Sequence, residues 1–239
     1  MGSISTGIVA DVLARLHKEA DVADGWMRDQ DPDHPALQGD WVAKLLASER
    51  SDLRGTYKQY ADNFLSVSPE FGRHIYMSAR AAKARRIVEF GTSMGVSTIY
   101  AAAALRDNDK DNDNDNGSGV HLISTELEPT KVERARANVA AAGLADLVEF
   151  RVGDACETLA GGVGGKIDLV LLDGAWSLYR PVLKLLEPHL NPGAVILADN
   201  TTEAERDYLE YVRDPRNGYL SLQLTAHEKH GNEFTVRTK

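Results

Sequence analysis

The chain is poor in features that would send it to a membrane, to nucleic acid or out of the cell. Cys156 is the only cysteine in 239 residues, so no internal disulfide forms, which suits a reducing cytoplasm. No apolar run reaches about 18 residues, so no membrane span is expected. The opening residues Met1–Thr6 lack a basic region followed by an apolar core, and no secretory signal is expected. Basic excess is also missing: 27 Lys and Arg face 36 Asp and Glu, a net charge of −9. That balance argues against nucleic acid as a main partner, because phosphate binding needs a basic surface. What remains is a chain with 43% hydrophobic residues, long enough to bury one substantial core.

Part of the negative charge is local. The stretch 107–119 holds five aspartates and one lysine, four of the nine net charges. It is low in complexity, has no apolar residue to bury, and is expected to be a mobile surface loop. No register in it places Asp at loop positions 1, 3 and 5, Gly at 6 and Glu at 12, so a calcium loop is not expected.

Five apolar runs end in polar residues. Arg86–Phe90 is followed by Gly91 and Gly95, four apart, and then by a helical pattern. This reads as strand, tight turn and helix start, with glycines that let the backbone turn sharply and approach a ligand. The helix start offers unpaired N–H groups. The spacing G-x-x-x-G is not the G-x-G-x-x-G of a nicotinamide fingerprint. Further strands are His121–Glu126, Val148–Ala155 with Asp154, Ile167–Asp173, and Ala194–Asn200 with Asp199. Open α/β sheets bind ligands at the C-terminal edge of their strands, so five polar strand ends point to a site there. Glu126 is placed to accept hydrogen bonds from a ribose diol.

The motifs "VEFGTSMGVST", "ISTELEP", "VGDA", "IDLVLLDGAW" and "GAVILADN", in this order, resemble the class I S-adenosylmethionine-dependent methyltransferases. Within that class the chain is most similar to the catechol and caffeoyl-CoA O-methyltransferase group, from about Leu65 to the C-terminus. The resemblance implies a doubly wound, mostly parallel, seven-stranded Rossmann-like α/β sheet ending in an antiparallel hairpin. The alternation in Tyr219–Leu224 and around Phe234–Arg237, with Gly231 and Asn232 as the turn, agrees with such a hairpin. Residues 1–65 read as a helical extension, from the spacing of Ile4, Ile8, Val9, Val12, Leu13 and Leu16 and of Trp41, Leu45 and Leu46, separated by a loop over 29–35. It serves either as packing or as a lid or homodimer element over the strand ends. Residues 66–239 form the cofactor-binding domain, whose first helix starts at Ser68 with Pro69 in its first turn.

The resemblance also implies the site. Glu89, Gly91, Ser93, Gly95 and Ser97 would surround the methionine part of S-adenosylmethionine, with the serines on its carboxylate. Glu126 and Leu127 would meet the ribose, and Asp154 and Ala155 the adenine. Substitution of Gly91 by Val is expected to harm cofactor binding far more than folding. Asp173, Asp199 and Asn200 would hold Mg²⁺, whose hard-oxygen preference suits these ligands. Asp173 would serve cofactor and metal alike and, with Trp176, the chemistry. The bland alternatives are Glu89 as a helix cap, Asp173 as a supporting acid and Asp199-Asn200 as a turn. One departure matters: a lysine base in the family falls three residues past the first metal aspartate, where this chain has Trp176. His227 and His230 titrate near neutral pH and are the remaining candidates for a base, or are plain surface residues. Trp176 and Tyr179 could pack against a flat substrate, or Tyr179 could be core. Cys156 reads as a small apolar residue beside the pocket. The expected activity is metal-assisted O-methylation of a small, aromatic hydroxyl acceptor. Metal-free N- or C-methylation and a non-catalytic cofactor-binding protein stay open.

Overall fold

The first strand, β1 (Arg86–Phe90), is buried from Ile87 onward on both faces, as a central parallel strand must be when helices cover both sides. The computed structural model describes residues 3–25, 41–111, 119–201, 206–224 and 231–239. β1 pairs in parallel with β2 (His121–Glu126) on one side and β4 (Ile167–Leu172) on the other. β2 continues to β3 (Val148–Val152), and β4 to β5 (Leu190–Asp199). β7 (Asn232–Arg237) runs antiparallel to both β5 and β6 (Tyr219–Leu224). The order is β3-β2-β1-β4-β5-β7-β6. This is the expected mostly parallel seven-stranded sheet with its antiparallel end. Asn232, expected in the hairpin turn, is instead the first residue of β7, opposite Leu224 and Asp199.

Apolar side chains fill both faces of the sheet. On one face Ile87, Leu122, Leu169 and Leu197 meet α1 (Ile8–Ala23), α4 (Pro69–Ala81) and α5 (Val96–Lys110). On the other, Val88, Ile123, Val170 and Ile196 meet α8 (Tyr179–Leu186) and α9 (Arg206–Arg213). α4 starts as its sequence dictates: the Ser68 hydroxyl accepts the Phe71 N–H and Pro69 opens the helix. None of the described helices is long and apolar enough to cross a membrane.

One expectation about loops is revised. α5 runs through Lys110, so residues 107–110 of the acidic stretch are helical. They have partners the composition did not show. Asp107 accepts from Ser3 N and Oγ at 2.9 and 2.8 Å and from Tyr76 Oη at 2.7 Å, and Arg80 donates to Asn108 and Asp111. Residues 112–118 lie outside the described residues, as do the loop 29–35, His227 and His230.

The N-terminal helices grip the rest of the chain through buried acids. α1 buries Val9, Val12, Leu13, Leu16 and Ala20, and ends at Asp24. Asp24 accepts the backbone N–H groups of Phe64 and Leu65 at 2.9 and 2.8 Å and the Asn63 amide at 3.2 Å. Residues 63–65 are thereby strapped to the end of α1. Asn138 of α6 (Pro129–Ala141) extends the link, accepting from Arg15 and donating to Met94 O at 2.9 Å.

Removing the Asp24 carboxylate leaves the Phe64 and Leu65 N–H groups without their acceptor, while the Asn63 amide keeps Ala23 O at 3.0 Å. Asp24→Ala should lower stability by about 2–3 kcal/mol, read as a shift in the urea midpoint with unchanged slope, and should speed proteolysis near residues 63–65. An unchanged midpoint would show that the strap is not held by this residue.

Candidate active site

The ends of β1, β2 and β4 are laced together by backbone contacts. Asp173 N donates to Phe90 O at 2.8 Å, while Gly91 N and Thr92 N both donate to Thr125 O at 3.1 and 3.0 Å. Gly91 has φ +102°, and a Cβ there would stand 1.9 Å from Asp173 O and 2.5 Å from its carbonyl carbon. The glycine is required because the exit of β4 occupies the space of a side chain. This corrects the expectation for Gly91→Val: the added atoms strike the protein's own backbone, so folding suffers first. Gly95, φ +86°, leaves room for α6, where Ala135 Cβ would be 3.2 Å from an added Cβ.

The turn residues use the polar groups that follow. Ser93 (φ +45°) donates its N–H to Glu126 Oε2 at 2.8 Å, and Glu126 Oε1 accepts Glu128 N at 2.9 Å. The Ser93 hydroxyl donates to Phe64 O and accepts from Lys131 Nζ at 3.1 Å. The strap 63–65 is therefore tied to the glycine turn as well as to α1. Glu89 lies one layer below, with no exposed surface. It accepts from Ser97 Oγ at 2.6 Å, Thr98 Oγ1 at 2.5 Å and Ser124 Oγ at 2.5 Å. Burial pushes the Glu89 carboxyl up, against those three donors and with help from the Glu126 charge. Ser97 and Glu89, expected around the cofactor, thus satisfy one another and brace β1, β2 and α5.

Leu127, just beyond Glu126, lines a cavity of about 340 Å³ with Glu128, Pro129 and, from α3 (Leu53–Lys58), Arg54, Tyr57 and Lys58. At the end of β3, Asp154 caps the short helix α7 (Ala155–Thr158) by accepting Cys156 N at 2.7 Å, and Ala155 is buried. Gly153 N donates to Glu126 O at 2.8 Å, which joins this corner to the others. Cys156 is half-buried, and burial with Asp154 and Glu157 pushes its thiol up, as for an unreactive side chain.

The other half of the edge centres on Asp173 and Asp199. Tyr179 is fully buried and donates to Asp199 O at 3.0 Å. Burial raises its phenol well above the ordinary value, and the charges of Asp173 and Asp199 add to this, so both carboxylates lie near one buried ring. Tyr179 packs edge-on against Phe90 and Tyr208, so its role is core. Asp199 is 5% exposed. It accepts Asn200 N at 2.9 Å, Asn200 Nδ2 at 3.1 Å and Asn232 Nδ2 at 2.5 Å. Asn200 is left-handed, φ +53°, a conformation asparagine tolerates better than most residues.

Three residues of this region were not singled out in the sequence, and a fourth, Asn232, was expected as a turn residue. Glu49, on α2 (Trp41–Ser51), is 3% exposed. It accepts Trp176 N at 3.3 Å, Ser177 N at 2.8 Å and Tyr57 Oη at 2.6 Å. Burial and the Glu49 charge raise the Tyr57 phenol. Glu49, Tyr57 and Lys131 sit in polar stretches that read as solvent-facing and nothing in their spacing marks them, while Asn232 read as a turn residue. Among the described residues no three His, Cys, Asp or Glu side chains gather as a metal cluster. Asp173, Asp199 and Asn200 offer two carboxylates and an amide.

Residues 88–201 match a family described as a methyltransferase domain. The catechol O-methyltransferase of Mycobacterium tuberculosis is 33% identical over 168 residues, 70% of this chain and 66% of that protein. The chain thus spans about two thirds of that relative. The catechol O-methyltransferase of Niastella koreensis is 32% identical over 166 residues, 67% of this chain and 70% of that protein. Among solved structures, cofactor-bound Rv0187 from MTB superposes with a TM-score of 0.64 at 25% identity, covering 92% of this chain and 98% of that one.

Gly91→Ala should cost about 3 kcal/mol or more of folding stability, from overlap and a disfavoured φ together. A variant with native melting temperature would show that β4 does not abut the turn. Glu89 gives a pH signature. Its folded carboxyl titrates above the unfolded one, so its contribution is full below the ordinary carboxylate range and is lost as pH rises through the folded value. Glu89→Gln should remove that decline, so the gap in stability between variant and native protein should change between pH 4 and neutrality in favour of the variant. A pH-independent gap would rule this out.

Proposed function

The chain belongs to the S-adenosylmethionine-dependent methyltransferases, and on that premise we propose that it methylates a hydroxyl of a small aromatic molecule with the help of a divalent ion. The observation that carries this reading is the division of one sheet edge. Glu126 and the cavity at Leu127 stand at the end of β2, and Asp173 and Asp199 flank Tyr179 at the ends of β4 and β5. The likeness to catechol O-methyltransferases supports it.

S-adenosylmethionine supplies a methyl group on a cationic sulfur. Gly91 and Ser93 set the turn that would hold the cofactor's methionine part, Glu126 would accept from the ribose hydroxyls, and Asp154 with Ala155 would border the adenine. Alignment of acceptor oxygen, methyl carbon and sulfur is then the main task of the protein. Asp173, Asp199 and Asn200 fit a hard ion such as Mg²⁺ by donor chemistry. Thr201, next to Asn200, is fully buried with an Oγ1 that has no hydrogen-bond partner among the described residues, a polar atom that hydration of an ion would satisfy. Such an ion would supply acidity to an acceptor hydroxyl beside it. The chain itself offers no base where Trp176 stands, since an indole takes no proton. Tyr57 is held protonated by Glu49. This reading favours an acceptor that is acidic by itself, as a phenol or catechol is, with Trp176 as a flat wall for its ring.

Residues 1–65 act in this reading as a lid, with Glu49 on the 176–177 turn and Asp24 on the strap. A homodimer through the same helices is compatible with it. A second reading, metal-free transfer to nitrogen or carbon, is favoured by one observation: Asp199 already accepts three N–H groups.

Methylation of catechol should fall at least tenfold in excess chelator and return with Mg²⁺, while an aliphatic alcohol should react under neither condition. Asp199→Ala with Asn200→Ala should abolish Mg²⁺ binding by calorimetry and leave affinity for S-adenosylhomocysteine within about threefold. Full turnover in chelator would select the metal-free reading.

A further inference from the structure

Lys131 is the one lysine or arginine side chain among the described residues that is buried, at 5% exposure. It projects from the first turn of α6, immediately after the Glu126–Pro129 segment. An ammonium carries three N–H donors. Among the described residues its one hydrogen bond is to a neutral atom, Ser93 Oγ, at 3.1 Å. No carboxylate among the described residues comes within ion-pair distance of it. Glu126 is engaged by Ser93 N and Glu128 N, and Asp24 by Phe64 N, Leu65 N and Asn63 Nδ2. A buried cation with donors left over is costly unless an anion joins it.

The methionine end of the cofactor brings such an anion. Ser97, which the sequence assigned to that carboxylate, gives its hydroxyl to Glu89 instead. Ser93 gives its N–H to Glu126 and its hydroxyl hydrogen to Phe64 O. The two serines of the turn are thus spent inside the protein, and Lys131 holds the unspent donors at the same turn. We propose that Lys131 binds the carboxylate of the cofactor's methionine moiety and, through Ser93, ties the occupied site to the strap 63–65. Burial lowers the Lys131 amine, and the charges of Glu126, Asp24, Glu128 and Asp173 oppose this without overcoming it.

The inference rests on the reading that this edge binds S-adenosylmethionine, and the test separates the two. S-adenosylhomocysteine and its decarboxylated analogue, identical except for the carboxylate, are titrated calorimetrically into native protein, Lys131→Met and Lys131→Arg. The native protein should prefer S-adenosylhomocysteine. Lys131→Met should weaken that ligand by about ten- to a hundredfold, the size of a hydrogen bond to a charged group, and the analogue by less than twofold. Lys131→Arg, which keeps the charge, should keep the preference. Equal weakening of both ligands would reduce Lys131 to a support for Ser93 and overturn the proposal, as would unchanged affinity or loss of the preference in Lys131→Arg. Binding of neither ligand to native protein would overturn the reading of the site and the proposal with it.

Discussion

Two backbones meet where β1 turns and β4 leaves the sheet, and the missing side chain at Gly91 is what lets them meet. The contact decides where the polar groups stand. It presses Asp173 against the turn that carries Ser93, while Thr125 O gathers the N–H groups of Gly91 and Thr92. β1, β2 and β4 consequently end in one plane, and the acids they deliver share one edge. Below that plane Glu89 and its three hydroxyl donors fasten β1 to β2 and to the start of α5. A fully buried carboxyl there is unusual, and it is tolerated because three hydroxyls donate to it.

The strands were legible because parallel strands buried on both faces leave continuous apolar runs, and each run here ends in glycine or acid. Their order followed from the resemblance of the motifs, and the antiparallel end from alternation in Tyr219–Leu224. Boundaries were less legible. β5 starts at Leu190, four residues before Ala194, and β3 ends at Val152 because Asp154 caps a helix. Asn232 looked like turn chemistry and is a strand residue whose amide serves Asp199. The acidic stretch hid the end of a helix, since its partners Ser3, Tyr76 and Arg80 are far away in sequence.

Within the site, the strand-end acids could be named from position alone, but their duties could not. Whether Ser97 faces a ligand or Glu89 depends on a rotamer, and nothing local dictates it. Glu49, Asp24 and Lys131 are invisible to pattern for a common reason. Each is a charged residue on or just beyond a helix, where charge ordinarily means solvent, and each is bonded to an element 38 to 128 residues away. Trp176 is the opposite case: its identity was informative from the sequence, because an indole forbids one kind of chemistry wherever it points.

The grip of Glu49 on the turn at Trp176 and Ser177 has a consequence for how such proteins diversify. One carboxylate joins the segment that precedes the cofactor domain to the loop that would face the acceptor, and neither half is satisfied alone. Exchange of the segment that carries Glu49 preserves this joint only where the incoming segment also brings an acid to the two backbone N–H groups at 176 and 177. The covering helix and the loop must therefore change in step. The rigid sheet supplies the shared chemistry, and this small joint is where inheritance is constrained.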